Sequence, residues 1–323
     1  MDFRTSLSSQ VLVLDGAMGT MVQNLELTDL AFGGPDFKML TDLLVFSRPD
    51  DLVGIHLEYL KAGANIIETN TFGASPLRLR EFDFKTIDFS DMQAVPDGLD
   101  LNTAGIEAIC MHLNEQACKI AHKAIAHYKL LPEYDGRPLY VSGSIGPSNY
   151  VVSSTQADLS KATFRQIVEN SYRQVLGLVK GEVDILLFET QQDILELKAE
   201  LIGARKALDE MKTDIPIMVQ VTVDEFGKMQ IFNTDVHSAY VAVAGMGIDV
   251  FGLNCNVGPV EMHATVERLS KLCDHPMSFV PNAGQPVSED GKTCYKLKPE
   301  EMADAIEPFV KSFGAGIVGG CCG

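Results

Sequence analysis

Eight short apolar runs recur down this chain, each separated from the next by a stretch of helical periodicity, and this alternation restricts the fold more than any other feature. The runs are Val11–Gly16, Ala64–Asn70, Leu139–Gly146, Asp184–Thr190, Ile215–Val223, Asp249–Cys255, Met277–Gly284 and Ala315–Cys322. They are continuous rather than alternating, the pattern of parallel strands buried on both faces. Amphipathic stretches lie between them, at Asp50–Ala62, Asn102–His127, Leu159–Lys180, Ile194–Lys212, Val236–Gly245, Pro259–Leu272 and Pro299–Phe313. Pro49, Pro259 and Pro299 stand where a first helical turn tolerates proline, and Gly63, Gly181 and Gly314 where helices end. The alternation predicts an α/β chain folded as a (β/α)₈ TIM barrel. A doubly wound open sheet is the rival, but no GxGxxG opens the first helix. No helical stretch follows the eighth run before Gly323. The eighth helix is therefore expected to be missing, and residues 1–323 are expected to form one barrel domain that is a fragment of a longer multidomain chain.

At 323 residues the chain is long enough for such a barrel. Its 26 basic and 44 acidic residues give a net charge of −18, which argues against a nucleic-acid backbone or an anionic membrane as partner. No run approaches the ~20 apolar residues of a membrane-spanning helix, and the N-terminus lacks the features of a signal peptide. A cytoplasmic location is the expectation, with the seven cysteines reduced. Two connections exceed the usual ~2–6 residues. One runs from Ala17 to about Ser47, the other from Phe72 to about Leu101 with the acidic stretch DFSDMQAVPDGLD. Both fall on the face where barrel active sites sit, as decorated, partly mobile surface or as a lid or docking surface.

Polar residues at the C-terminal ends of barrel strands are the default reactive set. Here they are Asp15 and Gly16, Glu68, Asn70 and Thr71, Ser144 and Gly146, Glu189 and Thr190, Thr222, Asn254 and Cys255, Asn282, and Cys321 with Cys322. Strands six and eight of a closed barrel are separated by one strand, which here ends in Asn282. Three thiolates meeting at one point describe a zinc site with a fourth position available. The flanking glycines permit the bend that turns two successive sulfurs inward. Independent buried thiols are the alternative on spacing alone, and a vicinal disulfide is strained and disfavoured in a reducing compartment. Cys110, Cys118, Cys273 and Cys294 read as ordinary small apolar residues. The histidines show no metal spacing.

These motifs are recognisable together. DGAMGT at Asp15–Thr20, GANIIETNTFGAS at Gly63–Ser75, GSIGP at Gly143–Pro147, FGLNCNVGP at Phe251–Pro259, PNAG at Pro281–Gly284 and the terminal GGCCG resemble the homocysteine S-methyltransferase family. The match extends from Leu14 to Gly323, and IIETNTF with TDLLVFSRPD favours the branch that makes methionine with cobalamin as methyl carrier. The resemblance implies a zinc-dependent transferase in which Cys255, Cys321 and Cys322 hold Zn²⁺, with Asn282 at or near the fourth position when substrate is absent. It implies that the backbone N–H groups of Gly16, Ala17, Met18 and Gly19 hold the homocysteine carboxylate, that Glu189 takes its ammonium with Asp15 as helper, and that Thr71 and Ser144 complete the substrate pocket. The methyl donor implied is methylcobalamin, carried by cobalamin- and folate-binding modules of the same or a partner chain. The rivals are a stand-alone enzyme using betaine or S-methylmethionine, and a zinc- or homocysteine-binding module without turnover. The acidic insertion at about Phe84–Leu101 departs from the family pattern.

Overall fold

The computed structural model describes residues 2–154, 162–289 and 292–323. Its main sheet has eight parallel strands: β1 (Leu12–Val13), β2 (Ile66–Glu68), β3 (Tyr140–Ile145), β4 (Ile185–Gln191), β5 (Ile217–Val221), β6 (Val250–Asn254), β7 (Met277–Val280) and β10 (Ile317–Val318). The remaining two, β8 (Val287–Glu289) and β9 (Lys292–Cys294), pair as a separate antiparallel hairpin in the connection after β7. The sheet runs β1-β10-β7-β6-β5-β4-β3-β2. Its two edges meet at a parallel bridge between Leu14 and Ile66, where Asn65 N–H donates to Val13 O at 2.8 Å and Asp15 N–H to Ile66 O at 2.9 Å. That seam closes the barrel predicted by the eightfold alternation.

The continuous apolar character of the runs is explained by two cores on opposite faces of the sheet. Leu12, Leu14, Ile66, Tyr140, Ile185, Leu187, Met218, Val250 and Ile317 fill the interior of the cylinder. Their sequence neighbours, among them Ile67, Val141, Leu186, Phe188, Val219, Phe251 and Phe279, pack outward against the helices. With no polar face to offer water, each strand is apolar at successive positions. Helices at Pro49–Ala62, Ile106–Tyr128, Phe164–Lys180, Ile194–Met211, Val236–Val243, Pro259–Ser270 and Pro299–Lys311 follow the strands as predicted, and Pro49, Pro259 and Pro299 each occupy a first turn. The stretch expected to be helical from Leu159 begins outside the described residues, at 159–161. Among those described, the helix starts after Thr163, whose side chain and that of Gln166 form a capping box.

Three segments differ from expectation. The helix Phe3–Ser9, N-capped by Asp2, closes the floor of the barrel. Its Phe3 ring meets Tyr140 edge-on with centroids 5.6 Å apart, and Ser6 Oγ lies 2.6 Å from the Tyr140 hydroxyl. The connection from Ala17 to Ser47 is a packed cap rather than loose decoration: Phe37, Leu40, Leu43, Leu44, Val45 and Phe46 are buried along it. It is built from the helix Met18–Asn24 and short 3-10 turns, which lack the long period that reveals a helix in sequence. The acidic insertion is anchored by Phe84, Ile87 and Leu101, all buried, and by an ion pair between Asp91 and Arg48. Among the described residues, no helix is long and apolar enough to cross a membrane.

Candidate functional site

Cys255 follows the last residue of β6, and Cys321 and Cys322 follow β10. β10 enters the sheet between β7 and β1, so the two sources of sulfur flank the end of β7. Their Sγ atoms all lie within 4.8 Å of one another, with Cys255–Cys322 and Cys321–Cys322 each at 3.9 Å. Sulfurs arranged tetrahedrally around a zinc ion at about 2.3 Å stand about 3.8 Å apart, a spacing that two of the three pairs match, with all three thiols close enough to hold a metal ion. Gly319 makes the approach possible: a Cβ there would stand 2.8 Å from Leu14 O, and only a bare backbone passes this close to β1.

The thiols already share charge. Hydrogen bonds from Cys255 and Cys321 hold the Cys322 thiol down at about 3, with the Tyr295 hydroxyl also lowering it. Contacts with Cys255 and Cys322, together with burial, keep Cys321 protonated well above the usual range. Asn282 is buried, and its Oδ1 accepts the Cys322 N–H at 3.0 Å, which pins the cysteine pair to the end of β7.

Beside the sulfurs lie three carboxyl groups, from the ends of β1, β2 and β4. Asp15 Oδ2 accepts the Glu68 N–H at 2.9 Å, while Asp15 Oδ1 is buried without a partner. Glu189 accepts from Ser144 Oγ at 2.5 Å and from Asn254 Nδ2 at 3.2 Å. Burial raises all three: Glu189 to about 7, against the opposing hydrogen bond from Ser144, and Asp15 and Glu68 well above the carboxylate range, with Glu189 adding repulsion to both. Among the described residues no ion pair reaches any of them, so the mouth presents an acceptor-rich surface suited to a cation such as an ammonium group.

The residues singled out from sequence thus separate into groups. Asp15, Glu189, Ser144 and the three cysteines converge, and Gly16 and Ala17 line the same apolar-walled cleft of about 640 Å³ as Asp15, Cys321 and Cys322. Met18 and Gly19 open the short helix at the rim, whose first amides have no intrahelical acceptor. Thr71 stands behind the others: it is fully buried, and its hydroxyl donates to Ser144 O at 2.8 Å. Sequence reasoning placed Glu68 and Asn254 at strand ends without giving them a role. Asn254 in fact joins the two clusters, reaching Glu189, Thr190 Oγ1 at 2.9 Å and the Cys321 sulfur at 3.9 Å. Tyr295 and Asn256 were missed. Tyr295 emerges from the β8–β9 hairpin, and the NCN stretch around Cys255 is the one sequence signal that could have drawn attention to Asn256.

A closed parallel barrel with three convergent thiols beside buried carboxyl groups defines a barrel whose mouth is built to handle sulfur. The family model for homocysteine S-methyltransferase matches residues 12–323. The chain belongs to that family. Over its whole length it is 36% identical to a methionine synthase of Mycobacterium leprae and 34% identical to one of Mycobacterium tuberculosis, and it spans 24% of the length of each. In fold it is similar to the metallated homocysteine methyltransferase MmuM of Escherichia coli, with a TM-score of 0.72 at 22% identity over 99% of this chain and 94% of that one.

Proposed function

We propose that this barrel is the homocysteine-activating module of a cobalamin-dependent methionine synthase: it takes up homocysteine at a zinc ion and presents its sulfur to methylcobalamin carried on a separate module. The observation that carries the reading is the trio of sulfurs within 4.8 Å of one another beside buried carboxyl groups that lack an ion partner among the described residues. Cys255, Cys321 and Cys322 would hold the ion as thiolates, and Asn282, bonded to the Cys322 amide, would be the neighbouring group to serve or to be displaced at a fourth position. Zinc held there supplies a Lewis acid that deprotonates an incoming thiol outright and keeps the resulting sulfur anionic. Three protein thiolates already outweigh the charge of the ion, so the site favours an electron-rich nucleophile over a polarised electrophile.

The chain's own residues would orient the substrate. Glu189, fixed by Ser144 and Asn254, faces the ammonium, and Asp15 offers its unpartnered Oδ1 to the same charge. The amides of Gly16, Ala17, Met18 and Gly19 would donate to the substrate carboxylate, as uncovered N–H groups of a Gly-rich turn do to an anion. Thr71 supports Ser144 from behind and so acts on the pocket indirectly. The methyl carrier and the folate that recharges it would belong to further modules of a longer cytoplasmic chain, a reading supported by the quarter-length match to methionine synthases.

The test is methylation of homocysteine by the purified barrel with methylcobalamin, betaine or S-methylmethionine as donor. Turnover with methylcobalamin alone is expected. Turnover with either small donor would place the chain among stand-alone enzymes, and none with any donor would make it a binding module.

A further inference from the structure

Cys255 and Asn256 adopt left-handed backbone one after the other, with φ of 63° and 64°. Such conformations cost a non-glycine residue of order 1–3 kcal/mol and persist only where the surroundings enforce them. The reason for this one lies in strand geometry. Leu253 packs outward with the helix-facing core, and Asn254 points inward to Glu189. A regular continuation of β6 would send Cys255 outward with Leu253. The left-handed pair breaks that alternation and brings the sulfur back over the barrel mouth.

Asn256 is tied down on both sides. Its Nδ2 donates to Val223 O at 2.9 Å, and its Oδ1 accepts from Gln230 Nε2 at 2.9 Å. Val223 and Gln230 belong to the connection after β5, which folds back on itself: Asp224 Oδ1 accepts the N–H groups of Phe226 at 3.0 Å and Lys228 at 2.9 Å, and Lys228 bridges Asp235. On the other side the turn is stapled to β7, where Cys255 N–H donates to Val280 O at 3.1 Å and Asn282 N–H to Val257 O at 2.9 Å.

We infer that Asn256 is a positioning residue that aims the Cys255 sulfur at the Cys321–Cys322 pair, and that Gln230 couples this aim to the 224–235 connection. The inference deepens the proposed function, since it concerns how three thiols are made to fit one ion. Asn is among the few residues that tolerate the left-handed region while offering a donor and an acceptor together. Glycine would take the same backbone freely but could hold neither Val223 nor Gln230.

That contrast supplies the experiment, performed on the whole 323-residue chain with Asn256→Gly and Gln230→Ala. Asn256→Gly is expected to keep the fold, by circular dichroism and thermal melting. It should bind zinc roughly 10–100-fold more weakly, the range for outer groups that orient metal ligands. X-ray absorption should count fewer than three protein sulfurs, and Gln230→Ala should weaken binding in the same direction but less. A second readout needs no metal: diamide should oxidise Cys255 and Cys322 to a disulfide more slowly in Asn256→Gly than in the unaltered metal-free chain. Unchanged zinc affinity, three sulfurs and an unchanged oxidation rate in Asn256→Gly would overturn the inference. An unaltered chain that takes up no zinc, with oxidation still slowed by Asn256→Gly, would overturn the metal reading and leave the positioning role standing.

Discussion

At the floor of the barrel, Arg4 reaches Asp249 at 2.6 Å and Asp214 at 2.9 Å, and the Phe3 and Tyr140 rings seal the interior beneath them. At the mouth, at the opposite ends of the strands, Asp15, Glu68 and Glu189 lie together with no ion pair among the described residues, and Thr190, Cys255 and Asn256 all hold left-handed backbone. The floor has the features of an optimised fold: matched charges, apolar packing and a capped helix. The mouth gathers groups that each make the empty fold less stable. Buried carboxyl groups without an ion partner and strained backbone of this kind persist where a ligand is to be met.

The sharpest way to break this contrast is to remove a sulfur. Cys321→Ser should lose at least about 100-fold in zinc affinity and all homocysteine methylation, because a hydroxyl does not ionise to replace a thiolate. Zinc content by mass spectrometry and a methionine assay check both, and full methyl transfer by the variant would refute the proposed function. Glu189→Gln comes next. The amide can still accept from Ser144 but lacks the charge for an ammonium, so homocysteine binding by calorimetry should weaken by about 10–100-fold, the worth of a hydrogen bond to a charged group.

Asp15→Asn tests the stability side of the comparison. In the folded chain burial holds the Asp15 carboxyl well above its ordinary value, so between the two values the folded state carries the extra proton. Stability conferred by this group is therefore lost as pH rises from about 4, which is the sign opposite to that of a salt-bridged carboxylate. Urea denaturation at pH 8 should find Asp15→Asn more stable than the unaltered chain by on the order of 1 kcal/mol, with the difference shrinking towards pH 4 and homocysteine binding weakened. A destabilised variant at pH 8 would show that the mouth is not under electrostatic strain. The smallest effect is expected at the floor. Arg4 is 42% exposed, and Arg4→Ala should cost about 0.2–1 kcal/mol, less at high salt, with homocysteine methylation unchanged.

Most of the floor and wall was legible in the sequence, because parallel strands with two buried faces leave unbroken apolar runs and their helices leave a long period. The floor helix Phe3–Ser9 was not, since seven residues carry too little periodicity to stand out. The cap over 17–47 escaped for a related reason: its 3-10 turns are too short to show a repeat, although its leucines and phenylalanines are as buried as any in the core. At the mouth, the cysteines could be anticipated because their chemistry demands a common target. Asn256 could not, since its meaning lies in a carbonyl and an amide brought to it from the preceding connection. Tyr295 likewise acts through a hairpin that the sequence does not announce.

The place of β10 in the sheet has a consequence for biosynthesis. It is the last of the barrel strands to be made, yet it separates β7 from β1, whose residue Leu12 it pairs with through Ile317. A nascent chain emerging from the ribosome therefore cannot seal the cylinder until β10 has emerged, and the two sulfurs that ride just behind it arrive at the same moment. Cation capture is thereby deferred until β10 has been made and docked, and a half-made barrel offers scavenging ions a single thiol of the three.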